Sequence, residues 1–245
     1  MRIVVIIPTY NEAENLLQMV SALFALPLDL SILVVDDNSP DGTGRIADGL
    51  ASAHPGRISV LHRQGKLGLS SAYIQAFQQL LQANVDAVAQ MDADFSHDPS
   101  ALVEMAKCLE NCDLVIGSRY VKGGSTDVRW PFWRKALSAW GNFYARSILG
   151  LSPHDVTAGF RLWRRETLQG MPLQRVKSSG YVFMVEMTYL TQCLHYRIGE
   201  VPVYFAERRK GKSKMSFKIQ VEAALRVWGV LWDYRDLRRT MKAPQ

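Results

Sequence analysis

The feature that most constrains the fold is a repeated alternation between short apolar runs and segments whose apolar residues have helical spacing. Five such runs occur in the first half of the chain, at residues 2–7, 31–37, 57–62, 86–92 and 113–119. Continuous runs of this kind predict strands that are buried on both faces. Because strands that alternate with helices form a mostly parallel sheet with helices on both faces, we expect a Rossmann-like α/β fold.

The composition is that of a globular protein. Of the 245 residues, 48% are hydrophobic and 21% are charged. The three cysteines, Cys108, Cys112 and Cys193, lack metal-ligand spacing, so we interpret them as reduced structural residues. The first apolar run is too short for a signal peptide, and no stretch reaches the roughly 20 apolar residues of a membrane-spanning helix. We therefore expect a cytoplasmic protein that is soluble or peripheral to a membrane.

The formal net charge is +6, and the basic residues concentrate in two groups. The first group contains Arg119, Lys122, Arg129, Arg134 and Lys135. The second contains Arg208, Arg209, Lys210, Lys212, Lys214 and Lys218. Such groups are typical of a solvated surface, and also of surfaces that bind nucleic acid, anionic lipid or phosphorylated substrates. Composition alone leaves these alternatives open.

The residues that follow the predicted strands are informative, because ligands bind at the carboxyl ends of the strands in such sheets. The first, second, fourth and fifth predicted strands lead into the sequences PTYNE, DDNSPDG, DADFSHD and GSRY. Neither the glycine-rich fingerprint of dinucleotide-binding proteins nor a phosphate-binding P-loop follows the first strand. This pattern argues against NAD and against ATP held by a glycine-rich loop.

Two carboxylates end the fourth predicted strand. Asp92 and Asp94 are two residues apart, so their side chains point to the same side of an extended backbone. Such a pair favours Mg²⁺ or Mn²⁺, and Ser96 has the same parity and could add a hydroxyl ligand. The alternative is that an aspartate only caps the next helix, but Asp98 or Ser100 is better placed for that role. Because Mg²⁺ is commonly shared with substrate phosphates, we expect a nucleotide diphosphate as ligand.

Several longer motifs occur in a fixed order along the chain: IIPTYNEAENL, VVDDNSPDGT, GLSSAYIQAF, MDADFSHDP, IGSRYVKGG and VPVYFAERRKGKSKMS. Together they resemble the successive motifs of family-2 glycosyltransferases with the GT-A fold, and within that family those of dolichyl- or polyprenyl-phosphate mannosyl synthases. The resemblance runs from Ile3 to about Ser216. It implies a GT-A catalytic domain over residues 1–216 and a C-terminal amphipathic helix over residues 217–245.

The resemblance also implies a set of donor-binding residues. These are Pro8, Tyr10, Glu12, Val35, Asp37, Asp92, Ala93, Asp94, Arg119, Arg208 and Lys214. The first three would line the nucleobase and ribose pocket, the next two would contact the base or sugar, and the remainder would surround the diphosphate. For Asp36 we expect a turn-forming role after the second strand.

The same resemblance implies which residues bind the metal, which are catalytic and which bind the acceptor phosphate. It implies that Asp92, Asp94 and Ser96 hold the metal and that Asp92, Asp94 and Arg208 are catalytic. The acceptor phosphate would lie at Arg119, Arg134 and Ser138.

The resemblance implies transfer of mannose from GDP-mannose to a polyprenyl or dolichyl phosphate, with inversion. The acceptor phosphate has a second pKa near ~6, so it is mostly a dianion at neutral pH, and we expect no dedicated catalytic base. Two alternatives remain open: glucose transfer from UDP-glucose to polyprenyl phosphate, and a non-catalytic nucleotide-sugar-binding module. We expect no nucleic-acid partner, because RNA-binding motifs are missing.

We expect the second half of the chain to bind the lipid acceptor. Residues 179–196 predict a helix in which Glu186 is buried or faces the site. Residues 218–239 predict an amphipathic helix with Trp228 and Trp232 one turn apart. This helix either packs on the sheet or lies at a bilayer interface, where tryptophan and basic residues are stable. We expect the chain to reach its lipid at the cytosolic face of a membrane, peripherally or through a membrane-anchoring partner protein.

Overall fold

The computed structural model of the chain describes residues 1–207 and 217–241. The strands within these residues are β1 (Arg2–Thr9), β2 (Asp29–Asp36), β3 (Ile58–His62), β4 (Ala87–Gln90), β5 (Leu114–Ser118), β6 (Ser125–Thr126), β7 (Arg161–Arg164), β8 (Ile198–Pro202) and β9 (Tyr204–Phe205). The helices are α1 (Leu16–Phe24), α2 (Thr43–Ala53), α3 (Leu69–Leu80), α4 (Ala101–Leu109), α5 (Phe132–Leu149), α6 (Arg165–Gly170), α7 (Gly180–Cys193), α8 (Phe217–Asp233) and α9 (Arg235–Met241), with a short 3-10 helix at Leu173–Arg175.

Seven strands form the main sheet, in the order β3-β2-β1-β4-β7-β5-β8. Strand β7 runs antiparallel to both of its neighbours, and the other strand pairs of this sheet are parallel. All five strands that the apolar runs predict are present. The predicted mostly parallel sheet is therefore confirmed.

The alternation of side chains along β1 explains why the sheet is covered on both faces. Ile3, Val5 and Ile7 point into a core cluster that contains side chains of α1, α2 and α4. Val4 and Ile6 point into a second cluster, which contains side chains of α3, α6 and α7. Full burial of each such side chain stabilises the fold by roughly 1.5–3 kcal/mol, so this central strand has to be apolar on both sides.

Strand β7 is the part of the sheet that the sequence pattern did not predict. It is four residues long and begins and ends with arginine, so it does not look like a buried strand. Trp163 nevertheless packs in the core on one face, and Leu162 packs in the core on the other. Trp163 Nε1 also donates a 2.7 Å hydrogen bond to Gln90 Oε1. The strand is therefore held by tertiary contacts with β4 and β5.

Helices α8 and α9 replace the single long helix that we expected over residues 218–239. Glu186, on α7, is fully buried beneath them. Its carboxylate accepts hydrogen bonds from Tyr234 Oη at 2.8 Å and from the Ser178 amide at 2.7 Å. Arg226 Nη2 of α8 lies 3.4 Å away. Glu186 is therefore buried and holds α8 and α9 against α7.

Within the described ranges, no helix is long and apolar enough to cross a bilayer.

Candidate active site

The carboxyl ends of β1 and β2 are joined to each other. Pro8 pairs with Val35 and Thr9 pairs with Asp36 in the parallel register. The Asp37 amide donates a 3.1 Å hydrogen bond to the Thr9 carbonyl oxygen. This pairing brings the predicted donor residues of both strands to one edge of the sheet.

Asp36 organises the turn that follows β2, as we expected. It is buried, and one carboxylate oxygen accepts hydrogen bonds from Thr9 Oγ1 at 2.9 Å and Ser39 Oγ at 2.6 Å. The other oxygen accepts from the Ser39 amide at 3.0 Å. A Cβ atom at Gly44 would lie 2.9 Å from that oxygen, so only glycine lets α2 approach this closely. Asp36 is thus a structural residue of the edge.

Asp37 has an ionic partner that the sequence analysis did not identify. Arg63 Nη1 donates to Asp37 Oδ1 at 2.5 Å, and Arg63 Nη2 donates to Ser71 Oγ at 2.5 Å. Burial raises the pKa of Asp37, while the charge and hydrogen bond of Arg63 oppose that rise. The ion pair fixes the Asp37 carboxylate at the edge of the sheet, so a contact with a nucleotide would involve a pre-positioned group.

Tyr10 and Glu12 are accessible at the edge, whereas Val35 is not. Tyr10 is 37% exposed, and the ammonium of Lys66 lies 3.8 Å from the centre of its ring. Glu12 Oε2 accepts a 2.8 Å hydrogen bond from Asn15 Nδ2. Val35 is fully buried in the core cluster beneath α3, so its side chain does not reach the edge. A contact between Val35 and a donor could involve its backbone only.

Each of the turns after β1, β2 and β4 contains a non-glycine residue with positive φ. These residues are Asn11 (62°), Asn38 (57°) and Phe95 (59°). Such conformations are uncommon, and they are most costly for a bulky residue such as phenylalanine. Strained residues are found preferentially at functional sites, so this clustering at one edge supports the location of the site.

We call residues 92–97 the carboxylate turn. Strand β4 ends at Gln90, so Asp92 and Asp94 lie in this turn and not on an extended backbone, as the parity argument assumed. Asp92 is half-buried, and Ala93 and Asp94 are buried. The strand is shorter than predicted, since its pairing with β1 and β7 ends at Gln90. The two carboxylates still belong to one short turn at the carboxyl end of β4.

Hydrogen bonds within the carboxylate turn define its shape. The Ser96 amide donates to Asp94 Oδ1 at 3.0 Å, and the Asp92 amide donates to His97 Nδ1 at 3.3 Å. His97 is buried, and its ring stacks on Phe160 with ring centres 5.1 Å apart. The imidazole therefore supports the shape of the turn through this hydrogen bond and this stacking contact.

The residues of the carboxylate turn fit a hard divalent cation. Ser96 Oγ is buried and has no hydrogen-bond partner among the residues that the structure describes. A buried hydroxyl without a partner is costly unless a ligand or water accepts or donates the missing bond. Carboxylate and hydroxyl oxygens are the ligands that Mg²⁺ and Mn²⁺ prefer. In residues 1–207 and 217–241 no group of three or more His, Cys, Asp or Glu side chains is arranged to hold a metal ion.

Arg119 follows β5 and has a structural partner. Its Nε and Nη2 atoms each lie 2.7 Å from a different carboxylate oxygen of Asp155, and Nη2 also donates to Thr157 Oγ1 at 2.9 Å. Burial on its own would lower the pKa of Arg119, but the Asp155 carboxylate outweighs it and the pKa is raised. The implied contact between Arg119 and substrate phosphates stays a prediction, and this bidentate ion pair argues against it.

Arg134 and Ser138 lie one turn apart on α5. Arg134 Nη1 donates to both carboxylate oxygens of Glu207, at 3.0 and 2.9 Å, and its guanidinium lies 3.7 Å from the centre of the Trp130 ring. Ser138 Oγ accepts a 2.8 Å hydrogen bond from Tyr120 Oη. Both side chains are positioned by neighbours, and a phosphate at Arg134 would compete with Glu207.

Phe205 connects the carboxylate turn with the predicted acceptor residues. Its ring meets the His97 ring edge-on, with centres 5.4 Å apart, and the Trp130 ring in the same way at 5.5 Å. The Arg119 guanidinium lies 5.3 Å from its centre. The structure therefore brings the carboxylate turn, Arg119 and the start of α5 into one neighbourhood. The predicted residues Arg208 and Lys214 lie outside the described residues.

The sequence analysis missed Arg63, Asp155 and Phe205. Arg63 follows the third predicted strand directly, at the edge where the site was expected, so its position could have identified it. Asp155 and Phe205 carried no comparable signal, because their partners are distant in the sequence.

Comparisons with known proteins agree with this architecture. Residues 4–171 match a family described as Glycosyl transferase family 2. An undecaprenyl-phosphate mannosyltransferase of Micrococcus luteus is 45% identical over 240 residues, which cover 97% of this chain and 98% of that protein. A polyprenol monophosphomannose synthase of Mycolicibacterium smegmatis is 44% identical over 94% of this chain and 87% of that protein.

A solved structure with the same fold is glucosyl-3-phosphoglycerate synthase from Mycobacterium tuberculosis in complex with Mn²⁺, uridine diphosphate and phosphoglyceric acid. It superposes with a TM-score of 0.63 over 100% of this chain and 80% of that chain, at 17% sequence identity. This likeness confirms the expected GT-A architecture. With its fold, its family match and its two near relatives, the chain belongs to glycosyl transferase family 2.

Proposed function

We propose that this glycosyltransferase transfers mannose from GDP-mannose to a polyprenyl phosphate, giving polyprenyl β-mannosyl phosphate and GDP. Two relatives at 44–45% identity, whose names specify mannose and a polyprenyl-type lipid, support the choice of substrates. The observation that carries the proposal is that Phe205 contacts both the carboxylate turn, through His97, and Trp130, which lies two residues before α5. The carboxylate turn suits a metal-bound diphosphate, and Arg134 on α5 suits a phosphate monoester.

On the donor side, Asp92, Asp94 and Ser96 would hold Mg²⁺ or Mn²⁺. The bound ion would neutralise the negative charge that develops on the leaving diphosphate. The ion pair with Arg63 holds Asp37 at the same edge, where it would orient the nucleoside. Glu12 and Tyr10, at the end of β1, would complete the nucleoside pocket.

On the acceptor side, Arg134 would attract the lipid phosphate and Ser138 would donate a hydrogen bond to it. The nucleophile is a phosphate oxygen that is already ionised near neutral pH, because the second pKa of a phosphate monoester is ~6. The residues of α5 then need only to orient this oxygen opposite the leaving diphosphate. Attack from that side inverts the anomeric carbon.

Exposed apolar side chains on two neighbouring helices suggest how the chain reaches a lipid. The side chains that form this surface, here called the apolar face, are Phe132, Trp133, Trp140, Phe143, Val221, Leu225, Trp228 and Trp232. Tyr144 Oη of α5 donates a 3.1 Å hydrogen bond to the Ala224 carbonyl of α8, so the two helices present these groups together. An exposed apolar surface of this kind is typical of an interaction site.

Within the described part of the chain, helix α8 packs on α5 and α7 and not on the sheet, and it leaves two tryptophans exposed. Val227 and Val230 are buried in a core cluster with α5 and α7, while Trp228 is 54% and Trp232 is 70% exposed. The Arg235 guanidinium lies 4.5 Å from the centre of the Trp232 ring. Tryptophan flanked by arginine suits the boundary between headgroups and acyl chains. We therefore propose peripheral docking on the cytosolic face of a membrane.

The experiment that tests the function is transfer of radiolabel into a lipid extract. Purified protein, Mn²⁺ or Mg²⁺ and a short polyprenyl phosphate are incubated with labelled GDP-mannose, UDP-glucose and other sugar nucleotides in turn. We expect lipid-linked label from GDP-mannose, and none when the lipid phosphate is omitted. Label from UDP-glucose alone would replace the proposed donor, and label from no donor would favour a non-catalytic binding module.

A further inference from the structure

Arg161 is a fully buried arginine whose position has no role in the function described so far. It lies on β7 and pairs with Gln90 of β4 on one side and Ile116 of β5 on the other. Its Nε donates to the Ala158 carbonyl at 2.8 Å and its Nη2 donates to the Val156 carbonyl at 2.9 Å. Among the described residues, its Nη1 has no hydrogen-bond partner.

The charge of Arg161 is not cancelled by a carboxylate of its own. The main opposite charge that acts on it is Asp155, which is fully buried and already bound by Arg119 in a bidentate ion pair. Burial lowers the pKa of Arg161 to about 9, so the side chain is still a cation at neutral pH. Arg119 and Arg161 are therefore two cations that both act on the buried carboxylate of Asp155, and only Arg119 is paired with it directly.

The register of the sheet places the backbone of Arg161 beside the strand that leads into the carboxylate turn. Asp92 follows Gln90, the register partner of Arg161, by two residues. Tyr73, buried on α3, experiences the charges of Asp92, Asp94 and Arg161 together. In the described part of the chain, the Tyr73 hydroxyl and the Gln90 side-chain nitrogen also have no hydrogen-bond partner. The interior behind the turn therefore contains buried polar groups whose hydrogen-bonding capacity is not satisfied by the described residues.

The carbonyl groups that Arg161 binds belong to residues 155–160, here called the linking segment, which contacts several other parts of the site. Asp155 binds Arg119, as described above. Thr157 Oγ1 accepts a 3.0 Å hydrogen bond from Asn142 Nδ2 of α5, and Phe160 stacks on His97 of the carboxylate turn. Arg161 therefore holds the segment that joins the donor and acceptor sides of the site.

The geometry points to Arg161 as a positioning residue of the donor site, whose buried positive charge balances the carboxylate turn and helps to attract the diphosphate. Buried charges are retained at a high cost, so an arginine with an unpaired nitrogen at this location calls for an anionic counterpart. The carboxylates of the turn provide one in the free protein, and a nucleotide diphosphate provides a second. The inference rests on the proposed donor site, and it does not depend on which sugar or lipid is used.

The test compares Arg161→Met and Arg161→Lys with the matched variant Arg164→Met. Arg164 is on the same strand and also donates to main-chain carbonyls, those of Cys112 at 2.7 Å and Glu110 at 2.9 Å, but it lies at the opposite end of β7. Mn²⁺ affinity is measured by electron paramagnetic resonance, GDP affinity by calorimetry without metal, and folding by thermal denaturation.

For Arg161→Met we expect changes of opposite sign. Mn²⁺ should bind several-fold more tightly, because a nearby positive charge is removed, and metal-free GDP should bind several-fold more weakly. Arg161→Lys should restore GDP affinity towards that of the wild type. Arg164→Met should lower the melting temperature and leave both affinities within about twofold of the wild type, because its charge is remote from the turn.

Parallel weakening of Mn²⁺ and GDP binding in Arg161→Met, in proportion to lost thermal stability, would show a purely structural role and overturn the inference. If Arg161→Met does not fold, Asp155→Asn tests the same local charge by changing it in the opposite sense. That variant removes the negative charge that acts on both arginines, so it should weaken Mn²⁺ binding and strengthen metal-free GDP binding, and unchanged affinities would contradict the inference. A wild type that binds Mn²⁺ and GDP without transferring mannose would refute only the proposed function.

Discussion

At the scale of single residues, the polar groups at the edge of the sheet fall into two classes. Asp36 and Arg119 are bound by other protein groups and give the edge its shape. Ser96 Oγ is buried with no hydrogen-bond partner in the described residues, so its bonding capacity is left for a ligand. We expect the first class to determine stability and the second to determine ligand affinity.

The Ser96 hydroxyl allows a first prediction. Ser96→Ala should weaken Mn²⁺ binding several-fold and leave the melting temperature nearly unchanged, because the variant removes a metal ligand and an unsatisfied buried hydroxyl together. Mn²⁺ titration followed by electron paramagnetic resonance measures this effect. Ser100→Ala is the control, since Ser100 is exposed at the start of α4 and makes no side-chain capping bond there. Equal Mn²⁺ affinities in the two variants would exclude Ser96 as a ligand.

Asp94 gives a second prediction at this scale. EDTA should abolish mannose transfer, and added Mn²⁺ or Mg²⁺ should restore it. Asp94→Asn should lose transfer and keep its fold, because the amide oxygen can still accept the hydrogen bond from the Ser96 amide. Circular dichroism and the lipid-extraction assay measure the two properties. Full activity of Asp94→Asn in excess chelator would contradict the metal assignment.

At the scale of helices and strands, one side of α8 packs against the rest of the protein and the other side is available for docking. Helix α8 is held from below by the carboxylate of Glu186 and presents Trp228 and Trp232 on its outer side. Helix α5 carries Arg134 and Ser138 near its start and contributes to the same apolar face. Since α5 carries Arg134 and Ser138 and also packs against α8, one helix belongs to both the predicted acceptor site and the apolar face.

The buried carboxylate predicts a large effect on stability. Glu186→Ala should lower the free energy of unfolding by about 3–5 kcal/mol, because it leaves Arg226 and several buried donors without their acceptor. Urea denaturation measures this loss, and hydrogen exchange should show earlier opening of α8 and α9. Glu222→Ala, which alters an exposed carboxylate on α8, is the control. Equal stabilities of the two variants would contradict the role of Glu186.

The apolar face predicts membrane binding with two components. Binding to anionic liposomes should weaken as salt rises, because basic side chains contribute a screened attraction, and a residual part should persist. Replacing Trp228 and Trp232 together by alanine should remove most of that residual part in a folded protein. The control replaces Leu17 and Leu67, which are exposed elsewhere. A folded tryptophan variant with undiminished binding would point to docking through another surface or a partner protein.

The sequence predicted the elements whose stability depends on local pattern. The five apolar runs became strands, and the motifs after them identified the edge of the sheet, because burial on both faces requires continuous apolar residues. Strand β7 was not predicted, since four residues between arginines become a strand only through pairing with β4 and β5. The partners of Asp37 and Arg119 were also missed. Arg63 directly follows the third predicted strand and could have been identified from that position, whereas Asp155 comes close to Arg119 only through the fold.

At the scale of the whole molecule, the two proposed substrates would approach from different sides: the nucleotide at one edge of the sheet, and the lipid at the pair of helices α5 and α8. The carboxylate turn and the end of β1 would hold a nucleotide from the aqueous side. The apolar face of α5 and α8 would approach the lipid, with Arg134 between them. A net charge of +6 favours the association of such a protein with an anionic surface.

The most direct test of the central claim, that two substrates of one reaction bind on the two sides of Phe205, is the kinetic effect of Arg134→Ala. The variant should raise the KM for polyprenyl phosphate about tenfold, as expected for the loss of one charge-assisted contact of ~1.4 kcal/mol, and should leave the KM for GDP-mannose nearly unchanged. Initial rates of lipid-linked label, measured with each substrate varied in turn, provide both constants. A raised KM for GDP-mannose with an unchanged KM for the lipid phosphate would contradict the placement of the two substrates.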